Sequence, residues 1–153
     1  MNILPLADIP SAVSKLAKWH FNEWQFLYPE DSVESFATDF RASICEQVVP
    51  STFVAIDDRG EVTGSISLIE EDMGDFRDYT PWLASLYVAQ DKRSLGIGKG
   101  LIQHLVSYAK QNGLPRLYLY TPDARSYYEG LGWQHLERTE YHGEQVDILH
   151  MTF

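Results

Sequence analysis

The sequence predicts an α/β domain of the mixed-sheet kind (α+β), with elements in the order β-α-α-β-β-β-α-β-α-β-β. Three observations predict it. Two strand pairs are joined by turn residues, at Asp57-Asp58-Arg59-Gly60 and at His142-Gly143. Between them Trp82 to Val88 is apolar almost throughout, which is the pattern of a central strand covered on both faces. That strand is followed by a glycine-bearing turn and a segment of helical period.

Each element has its own signal. Met1 to Leu6 reads as a short strand. Pro10 opens a helical pattern with Val13, Leu16, Ala17, Trp19 and His20. Ser32 is a good N-cap with Ser35 three residues on, and Val33, Phe36, Ala37, Phe40 and Ile44 mark a second amphipathic helix. Thr52 to Ile56 and Val62 to Ile69 form a hairpin of β-branched and aromatic strands. A polar connection, Glu70 to Thr80, leads into the Trp82 strand. From Gly98 onward Leu101, Ile102, Leu105, Val106 and Ala109 make a helix stripe, and Asn112-Gly113 stops it. Arg116 to Tyr120 is a strand and Pro122 to Gly130 a short helix. Trp133 to Glu140 and Val146 to Met151 form a closing hairpin.

Composition bounds the function. The 153 residues, 44% of them hydrophobic, suffice for one core, and no repeat or linker divides them, so residues 1–153 read as a single domain. No apolar run approaches the roughly 20 residues that cross a bilayer, and Met1 to Pro5 lacks the features of a signal peptide, so a cytoplasmic location is expected. The one cysteine, Cys45, excludes an internal disulfide and reads as half-buried packing after a helix. A net charge of -10 disfavours nucleic acid and slightly favours a cationic partner. The five histidines have no metal-binding spacing, so no metal is expected.

The stretch from Leu86 to Gly100 carries the chemistry. A buried strand ends, a basic turn with Lys92, Arg93 and Lys99 follows, and a helix begins at Gly96 and Gly98. The first N–H groups of a helix lack internal partners and lie at the positive end of its dipole, so this turn suits an anion such as phosphate. A dinucleotide fingerprint does not fit, because Leu101 stands where its third glycine belongs. A Walker A loop does not fit either: Gly100 follows Lys99, and Arg93 stands where the first glycine would be.

Arg93-Ser94-Leu95-Gly96-Ile97-Gly98 resembles the R/Q-x-x-G-x-G/A signature of the GNAT superfamily of acetyl-CoA-dependent N-acetyltransferases. Ala124 to Trp133 (ARSYYEGLGW) is similar to that family's A-x-x-F/Y-Y-E-x-L-G-F/W block. The resemblance implies acetyl-CoA as co-substrate. Its pyrophosphate would be held by Arg93, Ser94, Leu95, Gly96, Ile97, Gly98 and Lys99, and its pantetheine arm by Leu86, Tyr87 and Val88. It also implies that Tyr128 is the general acid for the departing thiolate and that a backbone N–H, that of Val88, meets the oxyanion. Tyr127 is expected in the core. The base is open. Glu70, Glu71 and Asp72 lie nearest by fold, with Glu70 and Asp72 the candidates for base or acceptor contact, while a solvated acidic run is the commoner explanation of such a cluster. An asparagine that often holds the coenzyme is missing from Thr121-Pro122-Asp123.

Trp19, Trp24, Phe26 and Tyr28 are candidates for an acceptor pocket or for core packing. The acceptor is expected to be a small-molecule or peptide amine, its identity open, with no nucleic acid or membrane partner. A homodimer is compatible with this reading. A non-catalytic acyl-CoA-binding or sensing module is the alternative, and retention of Tyr128 argues for the enzyme.

Overall fold

The computed structural model describes all 153 residues. The chain runs β1 (Asn2–Pro5), α1 (Val13–Trp24), α2 (Val33–Ala42), β2 (Ser51–Ile56), β3 (Val62–Ile69), β4 (Trp82–Val88), α3 (Ile97–Gln111), β5 (Arg116–Thr121), α4 (Arg125–Gly130), β6 (Gln134–Tyr141) and β7 (Glu144–Thr152). The element order is the expected one. The strands form one seven-stranded sheet in the order β1-β2-β3-β4-β5-β7-β6. Only β4 and β5 run parallel; the other neighbours are antiparallel.

Helix α1 buries Val13, Leu16, Ala17 and His20, the i, i+3, i+4, i+7 stripe of one face. It packs with Ala37 and Phe40 of α2 over Val54, Ile56 and Val62 of the sheet. Helix α3 buries Leu101, Ile102, Leu105 and Ala109 in a separate cluster with Leu83, Leu117, Leu119 and Leu149, which Tyr128 and Trp133 join. The two helix pairs therefore cover two different sets of sheet residues, as the side-chain alternation of strands requires. Ser32 caps α2 reciprocally with Ser35: Ser35 N–H donates to Ser32 Oγ at 3.1 Å and Ser32 N–H to Ser35 Oγ at 2.8 Å.

Several boundaries differ from the sequence reading. Pro10–Ala12 forms a 3-10 turn, and the α-helix begins at Val13. Helix α4 begins at Arg125 because the preceding turn is closed by Ala124 N–H donating to Thr121 Oγ1 at 3.0 Å. Helix α2 ends at Ala42, so Cys45 lies beyond it, and the residue is exposed rather than half-buried. Tyr127 is 48% exposed, not in the core: in a single-turn helix, Tyr128 takes the inward direction and its neighbour is turned out. The closing turn at His142 and Gly143 has φ +49° and +82°, the pattern of a two-residue hairpin turn.

Strand β4 departs most from expectation. Trp82, Leu83 and Ala84 are buried, but Ser85 to Val88 are only half-buried. Strands β4 and β5 share a single register pair, Trp82↔Tyr118, and then separate. On the other side the β3–β4 register shifts by one at Ser65/Ser67, and Ser85 adopts φ +54°. The bulge bends β4 away from β5 and opens the sheet at its centre.

Gly64 permits this bend. A Cβ there would stand 2.8 Å from the Tyr87 carbonyl oxygen and 3.1 Å from Leu101 Cδ1. Backbone cannot yield as a flexible side chain can, so Gly64→Ala is expected to destabilise the fold by about 1–3 kcal/mol. Thermal unfolding checks this; an unchanged or raised midpoint would contradict it.

Candidate active site

The separation of β4 from β5 opens a cleft of about 750 Å³. Its floor includes Leu83 to Leu86 of β4 and Leu119 to Thr121 of β5; α4 contributes Tyr128, and the α1–α2 region contributes Trp24, Phe26 and Tyr28. At one end of β4 lies the basic turn.

Val88 occupies the critical point of the strand. Ala89 N–H donates to Thr63 O at 2.9 Å, in register with the Gly64↔Val88 pair. Peptide direction alternates along a strand, so the Val88 N–H points away from β3, toward the gap left by β5. The Val88 carbonyl accepts from Arg93 Nε at 2.9 Å, and the Arg93 guanidinium lies over the Tyr87 ring at 5.4 Å. Arg93 thus fastens the turn to the strand end.

Ser94 at φ +67° and Gly96 at φ +82° shape the turn, and Gly96 caps α3 without any side-chain bond. Gly100 N–H donates to Gly96 O at 3.0 Å, so the helical bonds begin there. The N–H groups of Ile97, Gly98 and Lys99 precede them and lack intrahelical acceptors. No acidic residue occupies the first turn of α3. A Cβ at Gly98 would make only ordinary contact with Val88 Cγ2, at 3.6 Å. Ile97 is buried, whereas Arg93, Ser94, Leu95, Gly96 and Lys99 are exposed. These residues fit a pyrophosphate with an extended arm laid along the open edge of β4.

Tyr128 is 9% exposed and lines the cleft. Its ring is held edge-on by Tyr127 and Trp133, with centroids 5.4 Å and 6.2 Å away. Burial, then the neighbouring Tyr127 and the Asp123 carboxylate, push its pKa up to about 12. The phenol is consequently neutral, and available as a donor, at any physiological pH.

The two candidate carboxylates part company. Glu70 is exposed and does not line the cleft, whereas Asp72 does. Asp72 is half-buried, and desolvation alone pushes its carboxyl pKa up to about 7. Its backbone carbonyl accepts from Tyr141 Oη at 3.1 Å. Beside it the Tyr28 and Tyr120 hydroxyls share a short hydrogen bond. Both phenols are pushed well above the usual tyrosine range, first by burial and then by the Asp72 charge.

His20 is buried at 1% exposure on α1, and its ring nitrogens approach Leu16 O at 2.8 Å and Ser85 O at 3.0 Å. Both partners are acceptors, and burial lowers the His20 pKa, so the neutral ring has one N–H for two carbonyls. It joins α1 to the bulge that opens the sheet. Of the four aromatics considered for the acceptor pocket, Trp24, Phe26 and Tyr28 line the cleft. Trp19 lies outside it, its ring 5.1 Å from Tyr87. Tyr120, His20 and Asp39 escaped the sequence reading as site residues, because each reaches the cleft only through tertiary packing.

The Acetyltransferase (GNAT) family model matches residues 13–133. A search of curated proteins finds no match. Among solved structures, an aminoglycoside 6'-N-acetyltransferase complexed with coenzyme A is 18% identical, with 99% of this chain and 97% of that chain covered and a TM-score of 0.78. The ribosomal-protein-alanine N-acetyltransferase of Brucella melitensis is 17% identical over 100% of both chains, at TM-score 0.74. A GNAT-family acetyltransferase of Staphylococcus aureus is 19% identical over 99% and 98%, at TM-score 0.71. At these identities the structures establish a shared fold, and the family match across residues 13–133 makes the chain a member of the GNAT acetyltransferase family.

Proposed function

We propose that the protein is an N-acetyltransferase in which a primary amine attacks acetyl-CoA directly, with Tyr128 as the acid and Asp72 as the base. One observation carries the reading: a neutral buried phenol and a carboxyl poised near neutrality line one cleft, and strand β4, which contributes Leu83 to Leu86 to it, runs on into the glycine-bearing basic turn. Acetyl-CoA supplies an activated thioester carbonyl; the amine forms the N–C bond as the C–S bond breaks.

The chain's part is positional and electrostatic. Asp72 accepts the proton of the attacking amine. A carboxyl with a pKa near 7 is half ionised at neutral pH and is a stronger base than an ordinary aspartate. Val88 N–H faces the gap where negative charge develops on the carbonyl oxygen. Tyr128 donates to the departing sulfur. A coenzyme thiol resembles free cysteine, with a pKa of roughly 8.5, so a phenol near 12 shares its proton with the thiolate rather than wholly surrendering it. Solvent restores both groups after release.

The alternative is an acyl-CoA-binding module without catalysis. Binding alone requires neither a buried phenol at the cleft nor a base with a raised pKa, and this favours the enzyme. Release of coenzyme A thiol with a panel of primary amines tests the proposal: amine-dependent release supports it, and release equal to the buffer rate with every amine opposes it.

Donor binding has a test of its own. Gly96 sits at φ +82°, where a side chain costs about 1–2 kcal/mol. Gly96→Val should therefore weaken acetyl-CoA by roughly tenfold, whereas Lys99→Ala, which removes only an exposed charge, should cost less. Calorimetry on folded variants showing the reverse order would contradict the assignment.

A further inference from the structure

We infer that the acceptor carries at least two ammonium groups, one presented to Asp72 and another held at the cleft rim; this rests on the acetyl-transfer reading of the same cleft. Six carboxylates line the cleft: Glu23, Asp31, Asp39, Glu71, Asp72 and Asp123. None of the twelve Lys and Arg residues of the chain lines it. The basic groups of the turn from Lys92 to Lys99 thus stand outside a cleft whose charged lining is wholly acidic.

Of the six, only Asp31 has a side-chain hydrogen-bond partner within the protein, accepting from Ser35 Oγ at 3.0 Å beside the cap of α2. The ion pairs of the chain use Glu129 and Asp147, and none of the six cleft carboxylates takes part in one. Asp39 has its pKa raised by partial burial and by the charge of Asp31, so like charges face each other across the rim. Asp72 is half-buried, and its carboxyl has neither a hydrogen-bond donor nor a counter-charge, only desolvation. An arriving cation relieves both situations.

The rim also carries aromatic surface. Phe26 is 64% exposed beside the acidic groups, and Trp24, Tyr28 and Phe36 continue the wall. Such faces attract ammonium groups and pack the methylenes between them. The carboxylates are not grouped to hold a metal ion, which points to an extended organic cation. They also reach the cleft from separate segments: α1 supplies Glu23, the α2 region Asp31 and Asp39, and the β3–β4 connection Glu71 and Asp72. A monoamine would engage one of these groups. A linear polyamine or an amino sugar would engage several.

The experiment is calorimetric titration of the full chain with spermidine, with neamine as the amino-sugar arm, and with n-butylamine as the monocation. Spermidine or neamine is expected to bind about tenfold or more tightly than butylamine, equivalent to ~1.4 kcal/mol. The stronger of the two identifies the linear or the cyclic source. The double variant Asp31→Asn, Asp39→Asn should erase most of that preference while acetyl-CoA affinity and the thermal midpoint are retained. Equal affinity for butylamine and both polycations, or a preference that the double variant leaves intact, overturns the inference. Selective polycation binding without acetylation of any amine would overturn the acetyl-transfer reading and leave the cleft as a polycation-binding site only. Acetylation of butylamine with the same kcat/KM as spermidine and neamine would support the acetyl-transfer reading and overturn this inference.

Discussion

Tyr128→Phe is expected to lower the single-turnover rate of acetyl transfer by roughly 10²–10⁴-fold, the range for a positioned general acid, and to leave acetyl-CoA affinity nearly unchanged. The reasoning starts from packing. The Tyr128 ring is fixed by Tyr127 and Trp133 within the core that α3 covers, and phenylalanine keeps that ring. Only the hydroxyl is lost. Its burial holds the phenol pKa at about 12, so its proton is present throughout the working pH range. A wild-type single-turnover rate in the variant would assign protonation of the thiolate to water or another group.

Asp72→Asn is expected to lower kcat by a similar factor and to remove the low-pH limb of the rate profile. With the carboxyl at about 7, the base is protonated and inactive below neutrality, so activity rises with pH through that value and then levels. The amide cannot accept the proton, and the inflection near 7 should vanish with it. Stability moves the other way. A carboxyl whose folded pKa lies above its unfolded value of 3.8 binds more protons folded than unfolded, and stability falls as pH rises from about 4 to about 7. Above pH 7 the wild-type protein keeps a partly desolvated, unpaired carboxylate that asparagine removes, so the variant should melt at an equal or higher temperature at pH 8. Loss of activity with a lowered midpoint would instead mark Asp72 as structural. An unshifted rate profile would remove it as the base.

The strand-turn-helix at Arg93 to Lys99 was legible because its signals are local: an apolar strand, two glycines and a helix stripe follow one another between Trp82 and Ala109. The element order was legible for the same reason. What escaped depends on contacts distant in sequence. An apolar run such as Trp82 to Val88 looks alike whether it is covered on both faces or lines a cleft, and the bend occurs at Ser85, a residue without the turn signal that glycine would give. The Tyr28–Tyr120 hydroxyl pair spans 92 positions, and no periodicity reports it. Glu23, Asp31, Asp39 and Asp123 read individually as solvated acids; they acquire a common meaning only when the fold brings them to one opening. Glu70 and Asp72 stand two residues apart, yet only Asp72 faces the cleft, because strand β3 ends at Ile69 and the backbone then turns. Tyr127 and Tyr128 show the limit in miniature: adjacent identical residues, one exposed and one in the core, separated by the direction of a single helical turn.

Direct transfer is tested most cleanly by rapid quenching of excess protein mixed with acetyl-labelled acetyl-CoA and a primary amine such as spermidine. Label should pass from the thioester to the amine in one phase, with an equal amount of free thiol and no label on the protein, and the phase should slow in Tyr128→Phe. Label that remains in tightly bound acetyl-CoA with every amine, or that appears first on the protein, would contradict direct attack.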